Sequence, residues 1–207
     1  MSPAMHNGGA KARRAAESMM NETSPGKLIR WHYLWYAALA LAAMVAVIVS
    51  RDLWLLNFVH VFCGLLWTGI DLFMGFLLGP ILRVVDVSAR KAVLLRLTPR
   101  TLFLMPALSI ITGTTGWYIA QDLGFTALPW PQYGWVAAAL VLVALMTAQG
   151  LGYLLPANLR VCLELQKETP DNKRIAVLTR HYFLAIALQG VMQVVTIVVM
   201  ARFATGI

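Results

Sequence analysis

Five long apolar runs, separated by short polar stretches, take up most of the chain: residues 31–50, 53–83, 101–121, 135–155 and 181–201. A helix rises about 1.5 Å per residue, so roughly 20 apolar residues cross a bilayer core. The pattern therefore predicts an all-α, integral membrane bundle of five transmembrane helices, spans one to five. Residues 1–29 form a polar tail outside this domain, which occupies residues 30–207. No small-residue cleavage site follows the first run, so a removed signal peptide is not expected. Trp31, Tyr33, Trp35 and Tyr36 at its start have the amphipathic rings of a membrane interface, and His32 belongs to that boundary.

The connections carry their own patterns. Arg51 and Asp52 make a very short turn, which predicts that spans one and two are antiparallel neighbours. In residues 84–100, Val93, Leu94 and Leu97 oppose Arg90, Lys91 and Arg96. With Ser88 as its cap, this reads as a short helix lying in the membrane surface. Residues 122–134 lack positive charge and are rich in aromatics and proline, as in a membrane-edge loop, whereas residues 156–180 form a charged connection.

Span two departs from a plain apolar run. His60, Gly64, Trp67, Asp71 and Met74 fall at helical intervals and make one stripe along one face. Ionisable groups inside a span are costly, and they usually face a bundle interior, a partner or a cofactor. Span three repeats the spacing in Pro106, Ile110, Gly113 and Trp117, where small residues allow close approach of a helix or a flat ligand. Span four carries Gln149, Gly150 and Gly152 near its end, and span five carries Gln189 and Gln193 one turn apart.

Composition and charge narrow the class. Hydrophobic residues make up 59% of the chain and charged residues 13%, which excludes an ordinary soluble domain. The net charge of +8 does not point to nucleic acid, because the 17 Lys and Arg residues sit between spans. Five precede span one, five run from Arg83 at the end of span two to the start of span three, and five lie between spans four and five; only Arg51 and Arg202 fall on the other side. The positive-inside rule then predicts a cytoplasmic N-terminus and an outside C-terminus for an inner-membrane protein. Cys63 and Cys162 belong to no CxxC or Cys/His zinc pattern, so neither a disulfide nor a zinc site is expected.

Two candidate chemistries remain open in span two. Asp71 is expected to pair with His181 or with Arg100, each at the same boundary, as structural glue. His60 is either a neutral side chain bonded to a threonine of span three (Thr112, Thr114 or Thr115) or an axial haem ligand with Gly64 clearing space for the porphyrin. Met44 or Met192 comes nearest its depth as a second ligand. Ten methionines and two cysteines make copper the other metal, though the methionines are scattered as packing residues usually are. No Ser/His/Asp triad, phosphate-binding glycine loop or HExxH is present.

The segment FVHVFCGLLWTGIDLF, with His60, Trp67 and Gly69 in an H-x(6)-W-x-G pattern, resembles a broad group of bacterial membrane proteins. The group includes HemJ-type protoporphyrinogen oxidases, CopD-type copper-resistance proteins and the membrane domain of cytochrome-linked urate oxidases. The likeness continues through Pro80 and Arg83, then Arg96, Pro106, Gly113 and Trp117, and Trp135 opens span four in the expected place. It implies a haem b or metal site using His60 and redox chemistry in the membrane. Where HemJ-like proteins carry a lysine this chain has Ala137 to Ala139, and Gln149 stands for a family histidine. The expected function is thus a b-type cytochrome-like redox or electron-transfer protein. The alternatives are a copper-handling membrane protein and a non-catalytic subunit of a larger respiratory or oxidase complex. Membrane lipid is the expected surrounding, with other membrane subunits or an electron-transfer protein as partners.

Overall fold

The computed structural model describes residues 32–167 and 169–205, and every regular element among them is helical. The polar tail and its basic residues lie outside the described residues. Helix α1 (His32–Ser50) is followed by α2 (Leu53–Leu72), which runs through a π-helical turn (Phe73–Leu78) into α3 (Gly79–Val84). Helix α4 (Val87–Asp122) leads through a 3-10 turn (Phe125–Ala127) to α5 (Tyr133–Gln149). A second π-helical turn (Gly150–Leu154) joins α5 to α6 (Leu155–Leu165), and α7 (Asn172–Ala204) ends the bundle. These make five rods long and apolar enough to cross a membrane: Tyr33–Ser50, Leu53–Val84, Val87–Asp122, Tyr133–Leu165 and Asn172–Ala204. They support a multi-pass membrane protein.

Both π turns have the same local cause. Pro80 and Pro156 stand in the first turn of α3 and of α6. A proline lacks the N–H that an α-helix would use, and its ring crowds the carbonyl four residues earlier. Widening the preceding turn relieves that crowding without breaking the rod. The backbone shows it: Gly79 N–H donates to Met74 O, and Leu155 N–H donates to Gly150 O, each one residue beyond α-helical spacing.

Three rods outrun the bilayer-length windows of the sequence. The 36 residues of α4 rise about 54 Å, against a core of about 30 Å. Residues 84–100 are therefore not a separate surface helix, since most of them form the first turns of α4. Asp86, not Ser88, caps it: Ala89 N–H donates to Asp86 Oδ1 at 2.8 Å, and the Ser88 hydroxyl donates to the same oxygen at 2.6 Å. The charged connection 156–180 is also mostly helix, with α7 capped by Asp171 at Lys173 and Arg174 N–H. Hydrophobic burial explains the extensions, because Leu94 of α4, Val161 and Leu165 of α6, and Ile175 of α7 share one buried cluster. Glu164 closes the short loop between α6 and α7 through Lys167 at 2.7 Å and Arg174 at 3.5 Å.

Glycines set the closest helix contacts. A Cβ on Gly75 would lie 2.6 Å from Ala187 Cα, and one on Gly190 would lie 2.9 Å from the Leu72 side chain. Spans two and five therefore meet nearly backbone to backbone, the small-residue packing that membrane helices favour. Span one is peripheral: Met44 is buried, while Trp35, Leu39 and Val49 are exposed. It packs mainly on span three, not on its sequence neighbour span two. Arg100 makes part of that contact, donating to the Tyr33 hydroxyl at 3.2 Å.

Candidate functional site

Asp71 is the most deeply placed acid of span two, at 1% exposure. Gln193 Nε2 donates to its Oδ2 at 3.0 Å, and the Trp67 indole, one turn earlier, lies beside the same carboxyl group. The expected pairing with His181 or Arg100 is corrected here. His181 is exposed, on the side of α7 away from buried Tyr182. Arg100 is exposed and turned to Tyr33 and to Arg96 O at 3.1 Å. An arginine can stay solvated where a rod extends past the bilayer, so nothing drives it inward to meet the acid. A neutral donor meets Asp71 instead.

His60 is tied to span three. A carbonyl oxygen only accepts, so Nδ1 is the donor in its 2.9 Å contact with Thr112 O. Thr115 Oγ1 stands 3.4 Å from the same nitrogen and donates its own proton to Ile111 O at 2.6 Å. The ring lies over Gly116, where a Cβ would come within 2.7 Å of Cε1. Gly64 faces Thr112 Cγ2, 3.3 Å from the position of a Cβ. Both glycines thus admit the neighbouring helix and its side chains, and Gly64 does not open a slot for a porphyrin. Met44 is buried and Met192 half-buried. Among the described residues no group of three or more His, Cys, Asp or Glu side chains is placed to hold a metal ion.

The open space lies elsewhere. A cavity of about 290 Å³ sits between spans two, three, four and five, reaching Trp67, Asp71 and Met74 on span two. Span three contributes Pro106, Ile110 and Gly113, three members of its predicted stripe, and span four contributes Gly150 and Leu151 from the π turn. Ile110 and Leu151 are 47% and 56% exposed, so the cavity reaches the apolar exterior between spans three and four. A dry cavity of about 150 Å³ takes up benzene, so this one has room for a substituted single ring and a short tail. His60 is not among its lining residues.

Its polar side was invisible to the span-two pattern. Asn158 Nδ2 donates to Thr101 Oγ1 at 3.1 Å and to the Tyr182 hydroxyl at 3.2 Å. Gln189 Nε2 donates to Met146 O at 3.4 Å, and Gln149 Nε2 donates to Ala185 O at 2.7 Å. Tyr182, Gln189 and Gln193 recur at helical spacing on span five, and that stripe was the available signal. Asn158 was hidden in a stretch that reads as a charged connection. Compared with family models, curated proteins and solved structures, the chain has no significant match.

Proposed function

We propose that this protein binds a small amphipathic molecule inside the membrane, in the cavity between spans two, three, four and five. The cavity itself carries the reading: about 290 Å³ of mainly apolar space, reachable from the apolar exterior, with one polar wall around Asp71. Its size lies at the lower edge of small-molecule sites. The 15-to-2 distribution of Lys and Arg supports a cytoplasmic N-terminus and an outside C-terminus, and the resemblance to bacterial membrane proteins supports a bacterial inner membrane.

Gly113 provides the test. It lines the cavity, and a Cβ there meets no atom within 4 Å. Gly113→Leu therefore fills the space without displacing a neighbour, and replacing glycine within a helix adds up to about 1 kcal/mol of stability. Calorimetric titration of the detergent-purified protein with 4-hexylphenol and 4-hexylanisole is expected to show saturable binding of at least one probe. Gly113→Leu is expected to lose it while melting no lower than the parent. Absence of saturable binding by either probe overturns the proposal.

One observation favours a redox reading as second choice. With Nδ1–H committed to Thr112 O, His60 Nε2 carries the lone pair that a haem iron or a copper ion would take. A reduced-minus-oxidised absorbance spectrum decides it: a b-type signal lost in His60→Ala supports haem at this residue, and a flat spectrum removes it.

A further inference from the structure

Three arginines from three rods meet at one end of the bundle. Arg83 of α3, Arg90 of α4 and Arg180 of α7 line one shallow recess, together with Gly79, Leu82 and Phe183. The break between α3 and α4 brings the first two together, since Arg83 ends one helix and Arg90 stands in the first turn of the next. Arg90 is fixed by that break. Its Nη2 donates to Arg83 O at 3.1 Å and to Val85 O at 3.4 Å, carbonyls that the end of α3 leaves without helical partners.

The charge of this cluster is unanswered. Among the described residues none of the three forms an ion pair, and no carboxylate lines the recess. Asp86, the acid nearest in the chain, commits Oδ1 to the Ser88 hydroxyl and Ala89 N–H, and Glu164 is held by Lys167 and Arg174. Arg83 ends the apolar run of span two and Arg180 directly precedes that of span five. The recess therefore lies at a bilayer boundary, the one that the Lys and Arg distribution assigns to the cytoplasm. Ile81, Val84 and Leu184, chain neighbours of its lining, are exposed and apolar, so it opens beside surface suited to acyl chains.

Guanidinium groups hold phosphate through paired N–H donors, and basic recesses between spans suit anionic headgroups. Three such groups without an acid repel one another until an anion sits among them. We propose that this recess, between spans two, three and five, seats the phosphate of an anionic phospholipid headgroup.

Native mass spectrometry of the detergent-purified full chain, titrated with phosphatidylglycerol and with phosphatidylcholine of the same acyl chains, reads the site. One phosphatidylglycerol is expected to bind at least about tenfold more tightly than phosphatidylcholine. Arg83→Gln and Arg180→Gln are each expected to lose about tenfold of that affinity. Arg96→Gln is the control, because Arg96 is exposed near the same boundary but does not line the recess. It removes the same charge, and its loss is expected to stay below about twofold. Equal binding of the two lipids, or equal losses at Arg83, Arg180 and Arg96, overturns the proposal. So does phosphatidylglycerol binding to the parent that never saturates at one lipid, a result that needs no variant to fold. Inorganic phosphate as competitor separates the sources of the anion. Failure to displace the lipid assigns the recess to a headgroup, whereas displacement at matching concentration keeps the arginine site and overturns its lipid occupant in favour of a soluble phosphate.

Discussion

Asp71 shows how a buried acid is held without a cation. Gln193 donates to it, so its replacement is felt mainly through what happens to that donor. Asp71→Asn keeps an oxygen for it and is expected to change stability by less than about 1 kcal/mol. Asp71→Leu leaves the buried Gln193 amide without its partner, at about 1–3 kcal/mol, and thermal melting in detergent should drop clearly. Equal melting of the two variants would contradict this account. Asp86 offers a titratable case outside the spans. The Ala89 N–H and the Ser88 hydroxyl hold its carboxyl below the usual carboxylate range. A depressed folded-state pKa stabilises the fold above the ordinary carboxylate value of about 3.9, and the contribution fades as pH falls through the folded value. The melting difference between the parent and Asp86→Ala is therefore expected at neutral pH and should vanish in strong acid. His60 and Asp71 were legible as candidates, because a polar group in an apolar run stands out. Their partners were not, since Gln193 lies 122 residues from Asp71 and Thr112 lies 52 from His60.

Helices α2 and α7 meet through a seam that tolerates no side chain at Gly75. Gly75→Ala drives a methyl group into the Ala187 backbone at 2.6 Å, and the two rods must part. A destabilisation of about 1–3 kcal/mol is expected, as for other overpacked interiors. Gly69→Ala is the control, because a Cβ there meets nothing within 4 Å. Melting of both variants in one detergent checks the contrast, and a harmless Gly75→Ala would show that the seam is loose. The number of spans was plain from hydropathy, but their ends were not. A bilayer-length window stops where charge appears, whereas α4, α6 and α7 continue because Leu94, Val161, Leu165 and Ile175 bury one another beyond that point. Pro80 and Pro156 do not end their rods, because the π turns before them let each continue.

The bundle as a whole joins a charge pattern to a cavity. If the basic connections face the cytoplasm, a reporter active only outside should work when fused after residue 207 and be silent within residues 166–171. The reverse pattern would invert the topology and place the open side of the cavity in the other half of the bilayer. Apolar length and helical periodicity were enough to establish the helical class, the five rods and the inward stripe of span two, because these follow from local spacing and from the cost of exposing polar backbone to lipid. Tertiary packing alone decided that span one leans on span three, that Gly64 and Gly116 receive a neighbouring helix, and that Asn158, Gln189 and Asp71 share one wall. Those outcomes depend on how five rods of unequal length and small-residue placement fit together, a relation between segments far apart in the chain that no periodicity within one segment encodes.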